Sequence, residues 1–278
     1  MNVPLVAETL TTIGSWKITN TLVNSTILMV FFVVMSAVIG RAISLQPNRL
    51  QNLVEWIVES LLEFFDQVTG DRKLSIRFLP IVGTFFLFIA CSNWFGLFPG
   101  TGAIGRWFLH EGKPEFVPLL RSANSDLNLT IALALVSVLG SHLIGMMTLG
   151  FLTHWNKFIQ IGGIVKAIKS LNPINVLVAL VEFIVGLIEL FSEAAKVVSL
   201  SLRLFGNIFA GEVLLTVITG LVSYVVPVPF MLMEILVGIV QATVFSLLTL
   251  VYLTQAVALP HGEEDHDEHE PAPTHGYV

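Results

Sequence analysis

One arginine, one asparagine and one glutamate (Arg203, Asn207 and Glu212) sit in the otherwise largely apolar stretch SLSLRLFGNIFAGEV, Ser199 to Val213. Arginine keeps its charge at any ordinary pH and presents five N–H donors. At bilayer depth such a charge costs from ~2.5 to more than ~10 kcal/mol, depending on how far it can snorkel. It must therefore face protein, water or a mobile counter-ion. On a helix, Glu182, Glu189, Glu193, Lys196, Arg203 and Asn207 fall within about 80° of one another, a polar stripe among Val, Ile, Leu and Phe. Pairing of Glu189 or Glu193 with Lys196 can absorb part of that charge. It does not serve Arg203, whose neighbours three and four positions away are Ser199, Leu200, Gly206 and Asn207, none of them acidic.

The missing anion has to come from another helix. The last apolar block offers Glu234 and Gln241, seven residues apart and so two turns along one face, with Tyr252 extending that polar surface. Glu212 lies nine residues beyond Arg203, about 180° around the helix, and belongs to a different polar pocket. Gly206, Ala210 and Gly211 thin the helix near the arginine, which lets a neighbouring helix approach closely.

The elements that must hold these groups are membrane spans. Of 278 residues 54% are hydrophobic and only 12% charged, about half the charge of a soluble domain. Several nearly uncharged windows reach the ~20 residues needed to cross a ~30 Å hydrocarbon core as helix. The first is Thr21 to Gly40, closed by Arg41, Pro47 and Arg49. Leu50 to Val68 differs: Glu55, Glu59, Glu63 and Asp66 share one face, and Leu53, Trp56, Ile57, Leu61, Phe64 and Phe65 cover much of the rest. That pattern predicts an amphipathic helix at the membrane surface, or one packed against a soluble partner. Further spans follow at Phe78 to Gly100 and from Leu127. Asn172–Pro173 starts a proline-free helical pattern reaching about Gly220, more than twice one perpendicular crossing. It predicts either two spans fused near Ser192 or one long, tilted helix. Pro229 to Leu259 is the last block. The expected fold is thus all-α and polytopic, with about five crossings, a surface amphipathic helix and a long tilted helical hairpin.

Lys17 alone precedes the first span, whereas Arg41, Arg49, Arg72, Lys73 and Arg77 lie between the first two. The positive-inside rule then places the amino terminus outside and, after five crossings, the carboxyl tail in the cytoplasm. The chain divides into an external segment (1–20), peripheral transmembrane and amphipathic helices (21–171), the long hairpin (172–259) and an acidic disordered tail (260–278). The net charge of -6 comes largely from the tail's EEDHDEHE run and points to no substrate. The tail's four histidines could hold a metal, but their spacing is weak support and a solvated tail accounts for them. A single cysteine, Cys91, excludes an internal disulfide, and no basic patch with interleaved aromatics suggests nucleic acid. His110, His142 and His154 are scattered in the sequence without zinc-ligand spacing, so no metal or other cofactor is expected.

SLRLFGNIFAGE (201–212), VQATVFSLLTLVYL (240–253), SANSDLNLTIALAL (122–135) and the NP-led helix at 172 together resemble the subunit a family of F-type ATP synthases. The resemblance spans roughly residues 20–255. It implies a non-catalytic stator protein in the bacterial inner membrane, packed against a rotating ring of small subunits with one essential carboxylate each. The peripheral-stalk b subunits and the rest of the synthase are its other implied partners. By resemblance Arg203 faces the ring carboxylates, and Asn207, Glu212, Glu234 and Gln241 line a proton path from outside. Glu234 stands where bacterial relatives often have histidine. Glu189 matches an acidic position on the cytoplasmic path; Asp126 matches a family position near the outside loop. Glu182, Glu193, Lys196, His142 and Tyr252 are supporting candidates. The alternatives are an independent ion-coupled transporter, against which the lack of internal repeats counts, and a purely structural membrane anchor.

Overall fold

The computed structural model describes residues 7–98, 104–110, 113–156, 173–222 and 225–258. A short hairpin, β1 (Thr9–Ile13) and β2 (Trp16–Thr19), leads into α1 (Asn20–Ala42). Then come α2 (Arg49–Thr69), α3 (Arg72–Leu97) and a second hairpin of β3 (Gly105–His110) and β4 (Lys113–Pro118). A 3-10 turn at Ala123–Ser125 precedes α4 (Leu127–Leu149), α5 (Phe151–Asn156), α6 (Pro173–Leu221) and α7 (Pro227–Val257). Among the described residues five helices, α1, α3, α4, α6 and α7, are long and apolar enough to cross a membrane. The first hairpin falls in the segment read from sequence only as external (1–20), the second in the connection between the spans at Phe78 to Gly100 and from Leu127. Apart from them the fold is all-α, as expected.

The helix starts follow from local chemistry. Thr19, Asp71 and Asp126 stand at the N-caps of α1, α3 and α4, and their side chains accept from the backbone N–H of Leu22, Lys73 and Asn128. Gly70 ends α2 at φ 68°, a conformation only glycine adopts without strain. α6 begins at Pro173, the first-turn position where a missing N–H costs nothing. It then runs 49 residues without a break at Ser192, about 74 Å of helix. An apolar helix that long must run obliquely to keep its side chains in a ~30 Å core. The segment 157–172, including Lys157, Lys166, Lys169 and Asn172, and the acidic tail lie outside the described residues.

α2 docks by its apolar face, as the amphipathic pattern requires. Leu62 and Phe65 are buried, and Phe65 packs with Phe78, Val82, Leu250 and Leu253. On its polar side Glu59 and Asp66 each hold Arg72 at 2.7 Å. Leu50, Leu53, Trp56 and Phe64 remain exposed.

The main core lies where α3, α4, α6 and α7 meet, built from Phe85, Ile89, Ala134, Val138, Leu200, Leu204, Ile208, Ala242 and Phe245. Polar bonds pin this apolar contact in register. Ser137 Oγ and Thr249 Oγ1 lie 2.8 Å apart between α4 and α7. Asn93 on α3 donates to the Gly238 carbonyl of α7 at 3.1 Å, and Asn124 donates to Asn93 Oδ1 at 2.7 Å. Gly238 has no Cβ for a reason: one placed there would sit 3.0 Å from Asn93 Cβ.

Asn93→Leu removes the acceptor for Asn124 and the donor for Gly238 while keeping most of the volume. A buried polar group left unpaired costs about 1–3 kcal/mol. The expected outcome is a lowered thermal midpoint in detergent, partly restored in Asn93→Leu/Asn124→Leu.

Candidate functional site

α6 carries three polar groups in succession, and the packing treats each differently. Its buried face holds Leu200, Leu204 and Ile208, all under 5% exposed. The polar stripe runs along the edge of that face, so some of its members turn inward and others stay outside.

Towards the C-terminal end, Glu212 meets Arg121. The guanidinium donates to Glu212 Oε2 from Nε at 3.0 Å and from Nη2 at 2.9 Å. Arg121 is only 7% exposed, and its Nη1 is buried without a hydrogen-bond partner among the described residues. It reaches this depth because the residues after it form the buried turn Ser122–Asn124–Ser125, with Ser122 donating to the Ser92 carbonyl. Asn24 of α1 donates to the Arg121 carbonyl at 2.8 Å and fixes its backbone. Glu234 of α7, 6% exposed, lies against Gly211, where any Cβ would overlap its carboxylate. Glu212 and Glu234 are close enough for their charges to repel. One turn nearer the arginine, Asn207 donates to Gln241 Oε1 at 2.6 Å and joins α6 to α7.

Towards the other end, Lys196 holds Glu193 at 2.6 Å and stands 4.8 Å over the ring of Tyr252. The second oxygen of Glu193 meets His142 Nε2 at 3.3 Å. His142 Nδ1 lies 3.1 Å from His154 Nε2, so α5 supplies a further imidazole. Tyr252 therefore belongs with Lys196, at the far end of the α7 polar face from Glu234.

Arg203 lies between. Glu193 is ten residues before it and Glu212 nine after, which puts the two clusters about 15 and about 14 Å away along the helix axis. Its side chain is exposed, and its Nη2 donates to Ser199 Oγ at 3.3 Å. Among the described residues it enters no salt bridge, whereas Lys196 and Arg121 each have an acid within 3 Å. The surface beside it is small: Ser192, Ala195, Ser199, Gly206 and Ala210 are exposed, and a Cβ at Gly206 would meet nothing within 4 Å.

The sequence profile described as ATP synthase A chain matches residues 22–254, most of the chain. The chain belongs to that family. It is 30% identical to ATP synthase subunit a of Gloeobacter violaceus over 249 residues, covering 90% of this chain and 85% of the relative. With ATP synthase subunit a 1 of Hahella chejuensis it shares 31% over 245 residues, 88% of this chain and 87% of the relative. With subunit a of Desulfotalea psychrophila the identity is 36% over 216 residues, 77% and 75% of the two chains. The function is that of the family: a non-catalytic membrane subunit of the synthase that conducts protons through two offset half-channels against a rotor. The five apolar helices suit that multi-pass role.

The other sequence candidates are dispersed. Asp126 caps α4 and accepts from Thr21 Oγ1 at 3.0 Å, so the fold uses it to join α1 to α4. Glu182 and Glu189 sit half-buried on α6 and form no salt bridge with a described residue. Two residues escaped the sequence reading as site members. Arg121 was visible only as one cation in a polar loop; its position directly before SANSD was the available signal. His154 stood out of pattern because its partner lies across a turn: the histidines scattered in sequence include a touching pair.

Arg121→Gln strips Glu212 of both charge-assisted bonds. Removing one partner of a buried ion pair costs about 3–5 kcal/mol. Thermal unfolding of the detergent-solubilised protein should show that loss, and Arg121→Gln/Glu212→Gln should recover much of it.

Proposed function

We propose that Arg203 is the fixed cation that meets the ring carboxylates of the rotor, and that the two polar clusters of α6 are the inner ends of the two half-channels. The observation that carries this reading is the exposed arginine, with no acid beside it among the described residues, on a thinned helix face between two clusters that are internally paired. A small-residue surface allows a second helix to come close, and an unneutralised guanidinium requires that helix to bring an anion.

Protons arrive from outside past Glu212, Glu234, Asn207 and Gln241 and neutralise a ring carboxylate. A neutral carboxylic acid can then travel through lipid, which an ionised one cannot do cheaply. At the far side the acid meets the path near Glu189 and Glu193 and gives up its proton. Arg203 favours the ionised form it next encounters, because an adjacent cation stabilises a carboxylate. It also repels a proton from crossing directly between the two paths. A guanidinium and a carboxylate about 4 Å apart attract by ~4 kcal/mol at an effective dielectric of about 20. Water at the contact keeps that attraction small enough for the ring to move on. Each proton moved through 100 mV supplies about 2.3 kcal/mol.

The orientation that goes with this assignment has the amino terminus outside and the carboxyl terminus in the cytoplasm. It rests on the five basic residues from the last turn of α1 to the apolar part of α3. The partners are the ring subunits at the Arg203 face, the peripheral-stalk b subunits and lipid, in a bacterial inner membrane.

Arg203→Ala should reduce proton-driven ATP synthesis to background in vesicles while the synthase still assembles; normal synthesis would sink the assignment. Glu212→Gln and Glu234→Gln should each slow proton passage through the membrane sector. If both single variants and the double variant conduct normally, the uptake path lies elsewhere.

A further inference from the structure

We infer that Arg121 is a positioning residue of proton uptake: it occupies the Glu212 carboxylate and so leaves Glu234 as the group that takes the arriving proton. This role rests on the proposed uptake path and divides the labour between its two acids through a residue of the loop before α4.

Arg121 is held first by its backbone. Asn24 of α1 donates to its carbonyl at 2.8 Å, and the turn that follows is tied to α3 by Ser122 on the Ser92 carbonyl at 3.2 Å and by Asn124 on Asn93 Oδ1 at 2.7 Å. The buried side chain then sends Nε and Nη2 to one oxygen, Glu212 Oε2, at 3.0 and 2.9 Å. Its Nη1 is enclosed without a partner among the described residues. Glu234 is placed otherwise. It is 6% exposed, forms no hydrogen bond or ion pair with a described residue, and lies against Gly211, the residue directly before Glu212. Neither of its carboxyl oxygens is among the fully enclosed, unpartnered side-chain atoms, so a water-borne proton can reach it.

The remaining charged and titratable groups of the packed elements stand further off. α7 carries no acid besides Glu234, and its Tyr252 lies with Lys196 at the other cluster. α3 brings Cys91, Asn93 and Trp94 to this stretch, while its Arg72, Lys73 and Arg77 lie at its start. Arg203 on α6 is nine residues from Glu212, about 14 Å along the axis. About one turn of α1 out from Asn24, Glu8 accepts from Asn20 at 3.3 Å and Asp126 from Thr21 at 3.0 Å. Arg121 is thus the cation that acts on the two acids, and it acts on them unequally. Protonating Glu212 would weaken two charge-assisted bonds and leave a buried guanidinium without its counter-charge. Protonating Glu234 removes a buried charge that has no donor and relieves its repulsion with Glu212. The step is a single transfer. An O–H bond of a hydronium in the outer path breaks as an O–H bond forms on Glu234, and water is left behind. Glu234 then gives the proton up towards the ring carboxylate, while the Arg121–Glu212 pair keeps its charges throughout.

The test uses the assembled synthase in vesicles at fixed membrane potential. Synthesis rate is measured against the pH of the uptake side and scaled to the assembled complex by immunoblot. Arg121→Gln takes a cation from the pair of acids, which then hold a proton at higher pH, so its profile should move up by about one pH unit. Glu212→Gln leaves the guanidinium unanswered beside Glu234 and should move the profile down by about as much. Arg121→Lys keeps the charge, and Arg121→Gln/Glu212→Gln removes both charges; each should restore the wild-type position of the profile. Glu234→Gln should slow synthesis about a hundredfold, alone or added to that double variant. Should Arg121→Gln fail to assemble, the upward return of the profile from Glu212→Gln to Arg121→Gln/Glu212→Gln carries the comparison. Slowed synthesis with unmoved profiles, or shifts of one sign in Arg121→Gln and Glu212→Gln, overturns the positioning role, since that is the mark of packing. Loss of synthesis in Glu212→Gln with normal rates in Glu234→Gln makes Glu212 the carrier; it overturns the role of Arg121 and leaves the uptake path standing. Normal rates in both single variants and in Glu212→Gln/Glu234→Gln break the underlying path, and the role of Arg121 with it.

Discussion

A guanidinium that cannot lose its charge and has no acid beside it among the described residues is the constraint around which α6 is organised. The other cations described on or against the helix are answered: Lys196 by Glu193, Arg121 by Glu212. Among the described residues Arg203 has the hydroxyl of Ser199 as its hydrogen-bond partner. A hydroxyl can accept one of five N–H groups but offers no charge, so most of the electrostatic cost remains. The chain lowers it by exposing the arginine on a face of serine, alanine and glycine, where water or a partner's carboxylate can reach it. Asn207 and Gln241 finish the arrangement from the side. Their mutual bond joins α6 to α7 within a turn of the arginine while adding no charge that could compete for an incoming anion.

The rest of the fold keeps that helix in place. α7 contributes Ala242, Phe245, Leu250 and Leu253 to both apolar clusters, and α3 and α4 pack along it. Asn93, Asn124 and the Gly238 carbonyl form a short polar chain from the 3-10 turn through α3 to α7. Such bonds add little energy individually in a membrane, but they fix register where apolar surfaces could slide. The turn they secure is the one that delivers Arg121 to Glu212. The loop before α4 thus does more than connect two spans.

The spans, the polar stripe and the isolation of Arg203 were legible in the sequence because each follows from local periodicity and from the cost of charge in lipid. The same periodicity turned Glu212 away from Arg203, and the structure agrees, since its carboxylate is occupied by Arg121. What periodicity cannot supply is the partner across a fold. Arg121 and Glu212 are 91 residues apart, and nothing in either stretch marks the other. His142 and His154 are separated by only twelve residues, but Gly150 at φ 88° breaks the helix between them and so removes any helical relation. Both hairpins were missed because their strands, TLTTI, WKIT, GRWFLH and KPEFVP, are only four to six residues long and mix polar with apolar residues. The choice between two fused spans and one long helix was open from sequence, where continuity and a tight turn share a pattern. An unbroken α6 settles it.

The two clusters also differ in charge, and the difference has a direction. Arg121, Glu212 and Glu234 sum to one negative charge when both acids are ionised and to zero when one carries a proton. Glu193, Lys196 and two neutral imidazoles sum to zero without an added proton and to one positive charge with it. In a medium of low dielectric the neutral state of each cluster is the cheaper one. Under the proposed assignment the first cluster is therefore favoured when loaded and the second when empty. Arg203 works with the second preference and against the first, because its positive field disfavours an added proton on either side.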